Sequence, residues 1–221
     1  MVQVNNSSPI NLRVKFIKVG RLQYISHLDL VRTMNKIIVR AKLPLWYTEG
    51  FNPKPKMVFA APLSIGTESM CEFVDIRLTE KMDENEALKA LNDNLTDEMK
   101  AVDAYYPERK LTELKWLAYS IKIKTKNADV KLAKDCEDFL MSPSIEVLKK
   151  TKSGELSKTD IRPLIKSVTA ILDGEFIKIN AVISADSSKF LNPEYIIKAL
   201  KTKSLILTSE NLTEEYYSIM R

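Results

Sequence analysis

The chain has 221 residues, of which 45% are hydrophobic and 29% charged, and its formal net charge is +5. Disordered chains are poorer in apolar residues, so this composition predicts a folded protein with a core. The first nine residues are polar, and no apolar run is long enough to cross a bilayer, which argues against a signal peptide and a membrane span. We therefore expect a cytoplasmic protein that makes no membrane contact.

Charge is distributed unevenly along the chain. Residues 10–60 contain ten basic and two acidic residues, whereas residues 61–108 contain four basic and twelve acidic residues. This asymmetry predicts one basic and one acidic surface. A solvated basic face with no ligand would produce the same pattern, and composition alone does not separate the two interpretations.

The first half, residues 10–107, alternates predicted strands and helices. Ser26 is the expected N-cap of a helix that reaches about Lys42, with Asp29 as its capping-box partner. The apolar residues of this helix recur at helical spacing and are expected to face a core: Leu28, Val31, Met34, Ile38 and Ala41. The remaining predicted elements are strands at 12–19, 45–47, 57–61, 71–78 and 99–106 and a helix at 83–95. This order is typical of a ferredoxin-like unit.

The second half, residues 114–221, follows a charged connection and loosely repeats the order of strands and helices of the first half. Asp173 and Gly174 form a predicted hairpin turn. The predicted strands are 117–126, 144–150, 167–172, 176–184 and 203–208; the predicted helices are 130–141, 193–201 and 213–219; residues 158–165 read as a short helix or loop. We therefore predict an α+β protein made of two ferredoxin-like halves with mainly antiparallel sheets.

Several enzyme classes lack their characteristic residues here. The five glycines do not cluster, the two cysteines (Cys71 and Cys136) are far apart, and there is one histidine. These counts argue against a phosphate-binding loop, an iron–sulfur cluster and a two-histidine zinc site, so no metal or cofactor is expected. The only catalytic candidates are His27, as a general base on a ribose hydroxyl, and its neighbour Asp29. His27 could instead be a structural cap that donates to a loop carbonyl. The sequence as a whole favours a binding module over an enzyme.

A stripe of cations marks the first helix. Arg32, Lys36 and Arg40 are spaced at i, i+4 and i+8, which places them on one face. Together with Arg13 and Lys15 on the preceding strand they could follow a phosphate backbone. The alternative is an ordinary solvated helix face.

The segment at residues 49–56, with sequence EGFNPKPK, is the most distinctive part of the chain. Its two prolines stiffen a loop that carries aromatic, amide and cationic side chains. The candidate nucleic-acid contacts are Tyr47 and Phe51 for base stacking, Asn52 for a base edge, and Lys54 and Lys56 for phosphates. Alternatively, Phe51 packs in the core and the prolines only fix the path of the chain.

A set of positions concentrated in residues 20–78 carries a family resemblance: Gly20, Ile25 to Leu30, Arg32, Arg40, Ala41, Leu43, Pro44, Tyr47, Gly50 to Pro53, Pro55, Lys56, Phe59, Ala60, Pro62, Leu63, Gly66, Ser69 and Glu72. These positions resemble the radical SAM-linked protein family, a bacterial domain of unknown function. The segment from Asp160 to Pro163 looks like a second, shorter motif of that family. Lys54 departs from the family pattern, in which many relatives carry His.

The resemblance implies a radical SAM protein as partner, because the domain is often fused to such an enzyme or encoded beside it. Family members also tend to lie near RNA-processing functions, which implies RNA as a ligand. We therefore expect an accessory module that presents RNA or another substrate to a radical SAM enzyme. The alternatives are a metal-independent RNA-processing enzyme that uses His27 and a protein-interaction module whose acidic residues 61–108 bind a basic partner.

Overall fold

The computed structural model of the chain describes residues 8–125, 128–150, 154–186 and 188–203, together with the backbone of residues 212–219. The chain divides into two compact units, Met1–Leu114 and Lys115–Arg221. Among the helices in these described ranges, none is both long enough and apolar enough to span a membrane.

Unit 1 is a ferredoxin-like α+β unit. Its elements in chain order are β1 (Ile10–Lys18), α1 (His27–Arg40), β2 (Met57–Phe59), β3 (Thr67–Leu78), α2 (Glu84–Asn92) and β4 (Ala101–Tyr105), with short 3-10 helices at Gly20–Tyr24 and Leu111–Glu113. The four strands pair in the order β4-β1-β3-β2, and each pair is antiparallel. Both helices pack on one face of this sheet, because their apolar residues share a single core with β1 and β3.

The position of α1 on the sheet follows from its apolar stripe. Leu30, Met34, Ile37 and Ile38 are buried, whereas Leu28 is 57% exposed, so its predicted place in the core is wrong. Successive helical residues are rotated by about 100°, which puts Leu28 well to the side of the stripe centred on Met34. The predicted N-cap is confirmed, since the Asp29 amide donates to Ser26 Oγ over 3.1 Å.

Unit 2 repeats the same topology with one insertion. Its elements are β5 (Trp116–Thr125), α3 (Val130–Leu140), β6 (Glu146–Lys150), β7 (Leu156–Asp160), β8 (Ile165–Asp173), β9 (Phe176–Ser184), α4 (Glu194–Thr202) and β10 (Leu212–Ile219). The main strands pair antiparallel in the order β10-β5-β9-β8, which corresponds to the strand order of unit 1. The hairpin of β6 and β7 is inserted between α3 and β8. The predicted fold class, two ferredoxin-like halves with mainly antiparallel sheets, is therefore confirmed.

One local prediction in unit 2 is wrong, and a second is only partly right. The predicted helix at 213–219 lies within strand β10, which pairs with β5. The glutamates there favour a helix locally, but pairing with an open strand edge overrides so weak a preference. Of the predicted short helix or loop at 158–165, Arg162–Leu164 is a short 3-10 helix, whereas residues 158–160 belong to the end of β7. The predicted strand at 203–208 lies almost entirely outside the described residues.

Candidate functional site

A shallow groove of about 590 Å³ lies on unit 1 between α1 and the loop at residues 48–54. Four of its lining residues are basic, and two of the others are apolar. The lining residues are Arg32, Asn35, Lys36, Val39, Arg40, Lys54 and Pro55. The structure therefore brings the cationic stripe of α1 together with a cation from the loop, although the sequence separates them by 14 residues or more.

The sequence of α1 determines which side chains reach this groove. Its apolar stripe is held against the sheet, so residues at i, i+4 and i+8 on the opposite side point away from the core. Each helical residue adds about 1.5 Å along the axis, which separates Arg32, Lys36 and Arg40 by about 6 Å per step. The result is a regular row of cations along one wall of the groove.

Three of the four cations that line the groove have no acidic partner among the described residues. Arg32 forms an exposed pair with Asp29 at 3.0 Å. For Lys36, Arg40 and Lys54, no carboxylate lies within ion-pair distance among the residues described. Because no described carboxylate forms an ion pair with these three side chains, their charges are available to an approaching anion.

The loop that supplies Lys54 is braced at its base. The Thr48 amide donates to the Lys54 carbonyl over 2.9 Å, and the Lys54 amide donates to Thr48 Oγ1 over 3.1 Å. One step further along, the Lys56 amide donates to the Trp46 carbonyl over 3.2 Å. Pro53 and Pro55 restrict the backbone between these bonds. Lys54 is thus held in position by its backbone while its exposed side chain faces the groove.

Phe51 lies at the tip of this braced loop and is fully exposed, at 111% of its reference area. The interpretation that Phe51 packs in the core is therefore wrong. Gly50 precedes it with φ +119°, a conformation that favours glycine and allows the chain to turn. Of the other candidate residues, Tyr47 and Asn52 are exposed and Lys56 is half-buried.

Arg13 and Lys15 lie on the other side of the sheet. They alternate along β1 with Leu12, Val14 and Phe16, which face the core beneath α1. Arg13 is 8% exposed and forms two hydrogen bonds with the Asp75 carboxylate, at 2.7 and 2.9 Å, and a third with the Arg109 carbonyl. Hydrogen bonding to Asp75 raises the pKa of Arg13. Arg13 is therefore occupied inside the protein, and the predicted surface that joins it and Lys15 to the α1 stripe is not formed.

His27 and Asp29 occupy the first turn of α1. The His27 ring contacts Phe59 edge-to-face, with centroids 5.5 Å apart. Asp29 accepts a hydrogen bond from Ser26 Oγ at 2.7 Å and binds Arg32, and these contacts lower the pKa of Asp29. An acid that is stabilised as a carboxylate in a helix cap is a poor proton acceptor. Within the described ranges, no carboxylate is hydrogen-bonded to His27, so the two residues do not form an acid–base pair.

A buried charged cluster near the end of β1 was missed by the sequence analysis. Lys18 is 2% exposed and donates to the carbonyls of Thr67 at 2.6 Å and Leu22 at 3.4 Å. On the adjacent strand, burial raises the pKa of Glu72 to about 7, an effect that Ser69 and Lys18 only partly oppose. The signal was present in the sequence, because Lys18 continues the same alternation as the core residues of β1.

The second, shorter motif of the resemblance, from Asp160 to Pro163, has a structural role. Asp160 accepts hydrogen bonds from the amides of Ile145 at 2.8 Å and Arg162 at 2.9 Å and from the Ser144 hydroxyl at 3.0 Å. These backbone bonds lower the pKa of Asp160. Arg162 donates to the Ile165 carbonyl over 2.7 Å. The motif thus fastens the base of the β6–β7 hairpin. In the parts of the chain that are described, no group of three or more metal-ligating side chains is found.

Residues 11–193 match a family described as "Uncharacterized protein conserved in bacteria (DUF2344)". The chain belongs to this family. The matched region of this DUF2344 member includes the groove, the loop with Phe51 and the Asp160 motif. None of the curated proteins compared with the chain matches it.

A solved structure shares the fold of this DUF2344 chain. A chain in the crystal structure of a Cbf5-Nop10-Gar1 complex is similar, with a TM-score of 0.50 and 10% sequence identity. The match covers 96% of the DUF2344 chain and 48% of the other chain, so the DUF2344 chain spans about half the length of its structural relative. At this identity the likeness concerns the fold alone.

Proposed function

We propose that this DUF2344 protein is an accessory binding module that holds RNA in the groove of unit 1 for a separate radical SAM enzyme. The observation that carries the proposal is the convergence of Lys36, Arg40 and Lys54, without acidic partners among the described residues, on one groove. A row of cations that neutralises phosphates releases counterions, which is the main source of affinity for nucleic acid.

The rigidity of both walls supports the same function. α1 is fixed by its buried stripe, and the Lys54 backbone is fixed by two hydrogen bonds with Thr48, one from the Thr48 amide and one to the Thr48 hydroxyl. A site whose parts are already ordered loses little conformational entropy when a ligand binds. Conversely, His27 has no acid–base partner in the described residues, which favours binding over RNA cleavage.

The radical SAM partner is proposed from the family resemblance and from two features of the chain. With only two cysteines, the chain cannot supply the three thiolates of a radical SAM cluster, so such chemistry would reside on another protein. The second helix of unit 1 carries exposed acids, among them Glu84 and Glu86, which offer a surface of opposite charge to the groove.

The salt dependence of RNA binding tests the phosphate contacts. Replacing Lys36, Arg40 and Lys54 together by Gln should reduce the slope of log affinity against log salt by about 2, since each phosphate contact to a single strand contributes about 0.7. The matched control replaces Lys81, Lys89 and Lys100, which are exposed and lie outside the groove. Equal loss of slope in both variants would contradict binding in the groove, as would a wild type that binds no RNA.

Affinity purification from cell extract tests the partner. The tagged chain should retain a radical SAM protein, and RNase treatment should remove RNA from the complex. Retention of a protein with no RNA in the untreated sample would favour the protein-interaction module instead. Incubation with labelled RNA provides a third outcome, because cleavage that disappears in His27→Ala would favour the RNA-processing enzyme.

A further inference from the structure

We infer that the groove selects single-stranded RNA, with an unstacked base lying on Phe51 and the adjacent phosphates on the groove cations. This inference rests on the proposed function and names its substrate class. It is carried by three features of unit 1: the cations Lys36, Arg40 and Lys54, which have no carboxylate partner among the described residues, the apolar side chains that line the same groove, and an exposed aromatic ring on the loop that carries Lys54.

The first step concerns the distance between the ring and the cations. Phe51 precedes Lys54 by three residues, and three residues of extended chain span at most about 10 Å. The Cα of Phe51 therefore lies within about 10 Å of the Cα of Lys54, and the bonds between Thr48 and Lys54 close the loop that carries both residues. A strand whose phosphate contacts Lys54 can therefore place a nearby base on Phe51.

The second step concerns the floor of the groove. Val39 is 47% exposed and lies among the cations of α1, and Pro55 faces it from the loop. A ligand with only charged groups would not cover this apolar surface, which would stay exposed to solvent. A single strand can cover it with a sugar or the face of a base, while its phosphates contact the rim.

The third step excludes a regular duplex as the preferred ligand. In double-stranded RNA the bases are stacked inside the helix, and proteins contact mainly phosphates and 2′-hydroxyls. Such a ligand can use the cations but not the exposed ring. Single-stranded RNA can use both, because its bases have free faces, and stacking on an aromatic side chain contributes about 1–3 kcal/mol per base.

Exposed aromatic rings also serve as anchors in protein interfaces, where they fill a pocket on the partner. That use of Phe51 requires no nearby row of unneutralised cations, whereas single-strand binding uses the ring and the cations together. The arrangement in unit 1 therefore favours RNA, and the protein contact becomes an outcome of the test.

The test measures fluorescence anisotropy with a labelled oligoadenylate and with an RNA duplex of the same length, at one salt concentration. The wild type should bind the single strand more tightly. Phe51→Ala should weaken single-strand binding roughly 5- to 150-fold, which corresponds to the stacking contribution of one base, and should leave duplex binding unchanged. Phe51→Trp should retain the affinity. Tyr24→Ala is the matched control, because Tyr24 is a 65% exposed aromatic residue of the 3-10 helix Gly20–Tyr24 and does not belong to the loop that supplies Lys54.

The outcomes separate this inference from the proposed function. Equal or tighter duplex binding, with both ligands weakened by the Lys36, Arg40 and Lys54 variant, would overturn the inference and leave RNA binding intact. A wild type that binds neither RNA would overturn both. If Phe51→Ala leaves RNA affinity unchanged and instead abolishes retention of a protein from RNase-treated extract, the ring is a protein anchor and the inference is wrong.

Discussion

Replacing Glu72 by Gln should stabilise the protein at pH 8 and have much less effect at pH 5. The Glu72 side chain is 5% exposed and faces the core side of β3, opposite Phe16. Burial raises the pKa of Glu72 from 4.5 to about 7. Between these two values the folded protein binds more protons than the unfolded chain, so its free energy of unfolding falls as the pH rises.

The magnitude follows from the difference between the two pKa values. One pH unit of difference corresponds to about 1.4 kcal/mol, so complete ionisation of Glu72 in the folded state lowers stability by about 3 kcal/mol. At pH 5 less than about 1 kcal/mol of this loss has developed. Gln resembles the protonated acid and does not titrate. In the variant, Lys18 keeps its two backbone carbonyl acceptors, Thr67 and Leu22.

Urea denaturation of both proteins at pH 5, 6, 7 and 8 measures this difference directly. The stability gained by Glu72→Gln should grow by about 2–3 kcal/mol between pH 5 and pH 8. Asn85→Gln, which changes no ionisable group at an exposed position on α2, should show no such trend. A variant whose stability relative to wild type does not change with pH, or falls as the pH rises, would refute the raised pKa of the buried Glu72 carboxyl.

The remaining predictions concern the same unit and are read from chemical denaturation. Arg13→Met should lower the free energy of unfolding by about 3–5 kcal/mol, because it leaves the buried Asp75 carboxylate without its partner. Arg21→Met should cost less than about 1 kcal/mol, since the Arg21 side chain is 93% exposed, and comparable losses in the two variants would contradict the burial of the Arg13 pair. Ser26→Ala should cost about 1 kcal/mol through loss of the α1 N-cap, and Ser26→Asp should restore most of it; no loss in the Ala variant would contradict the cap.

Local signals were sufficient for most elements of the fold. The N-cap at Ser26 and the alternation of β1 depend on neighbouring residues, and both are confirmed. The misplacement of Leu28 has a local cause as well. Met34 and Ile38 of the predicted series are buried, but Leu28 is rotated by about 120° from Met34 and lies outside the stripe that the sheet covers. Sequence periodicity fixes the helix but determines its rotation only approximately.

Errors arose where distant residues decide the outcome. The strand at 212–219 depends on the free edge of β5, about 90 residues earlier, and no local pattern encodes that pairing. Arg13 was predicted to lie on a ligand-binding surface, yet its partner Asp75 is 62 residues away. The residues next to a cation in the sequence do not show whether it pairs with a carboxylate on a neighbouring strand or stays exposed.

The candidate site was predicted in part for the same reason. The row of Arg32, Lys36 and Arg40 follows from helical spacing, and the structure places it on an exposed wall. The sequence does not determine whether Phe51 is exposed. Its two prolines are compatible both with a stiff surface loop and with a buried connection between elements. Lys54 lies beside these cations only because of the tertiary position of its loop, which local sequence patterns do not predict.

Photo-crosslinking of RNA to the intact chain tests the central claim most directly. Single-stranded RNA that carries 4-thiouridine is irradiated with the protein, and the modified peptides are identified by mass spectrometry. If RNA binds in the groove, adducts should concentrate in the loop at residues 48–56, above all at Phe51, and along the exposed side of α1. They should be lost when Lys36, Arg40 and Lys54 are replaced together. Adducts that fall mainly outside unit 1, or that persist unchanged in that variant, would contradict RNA binding in the groove.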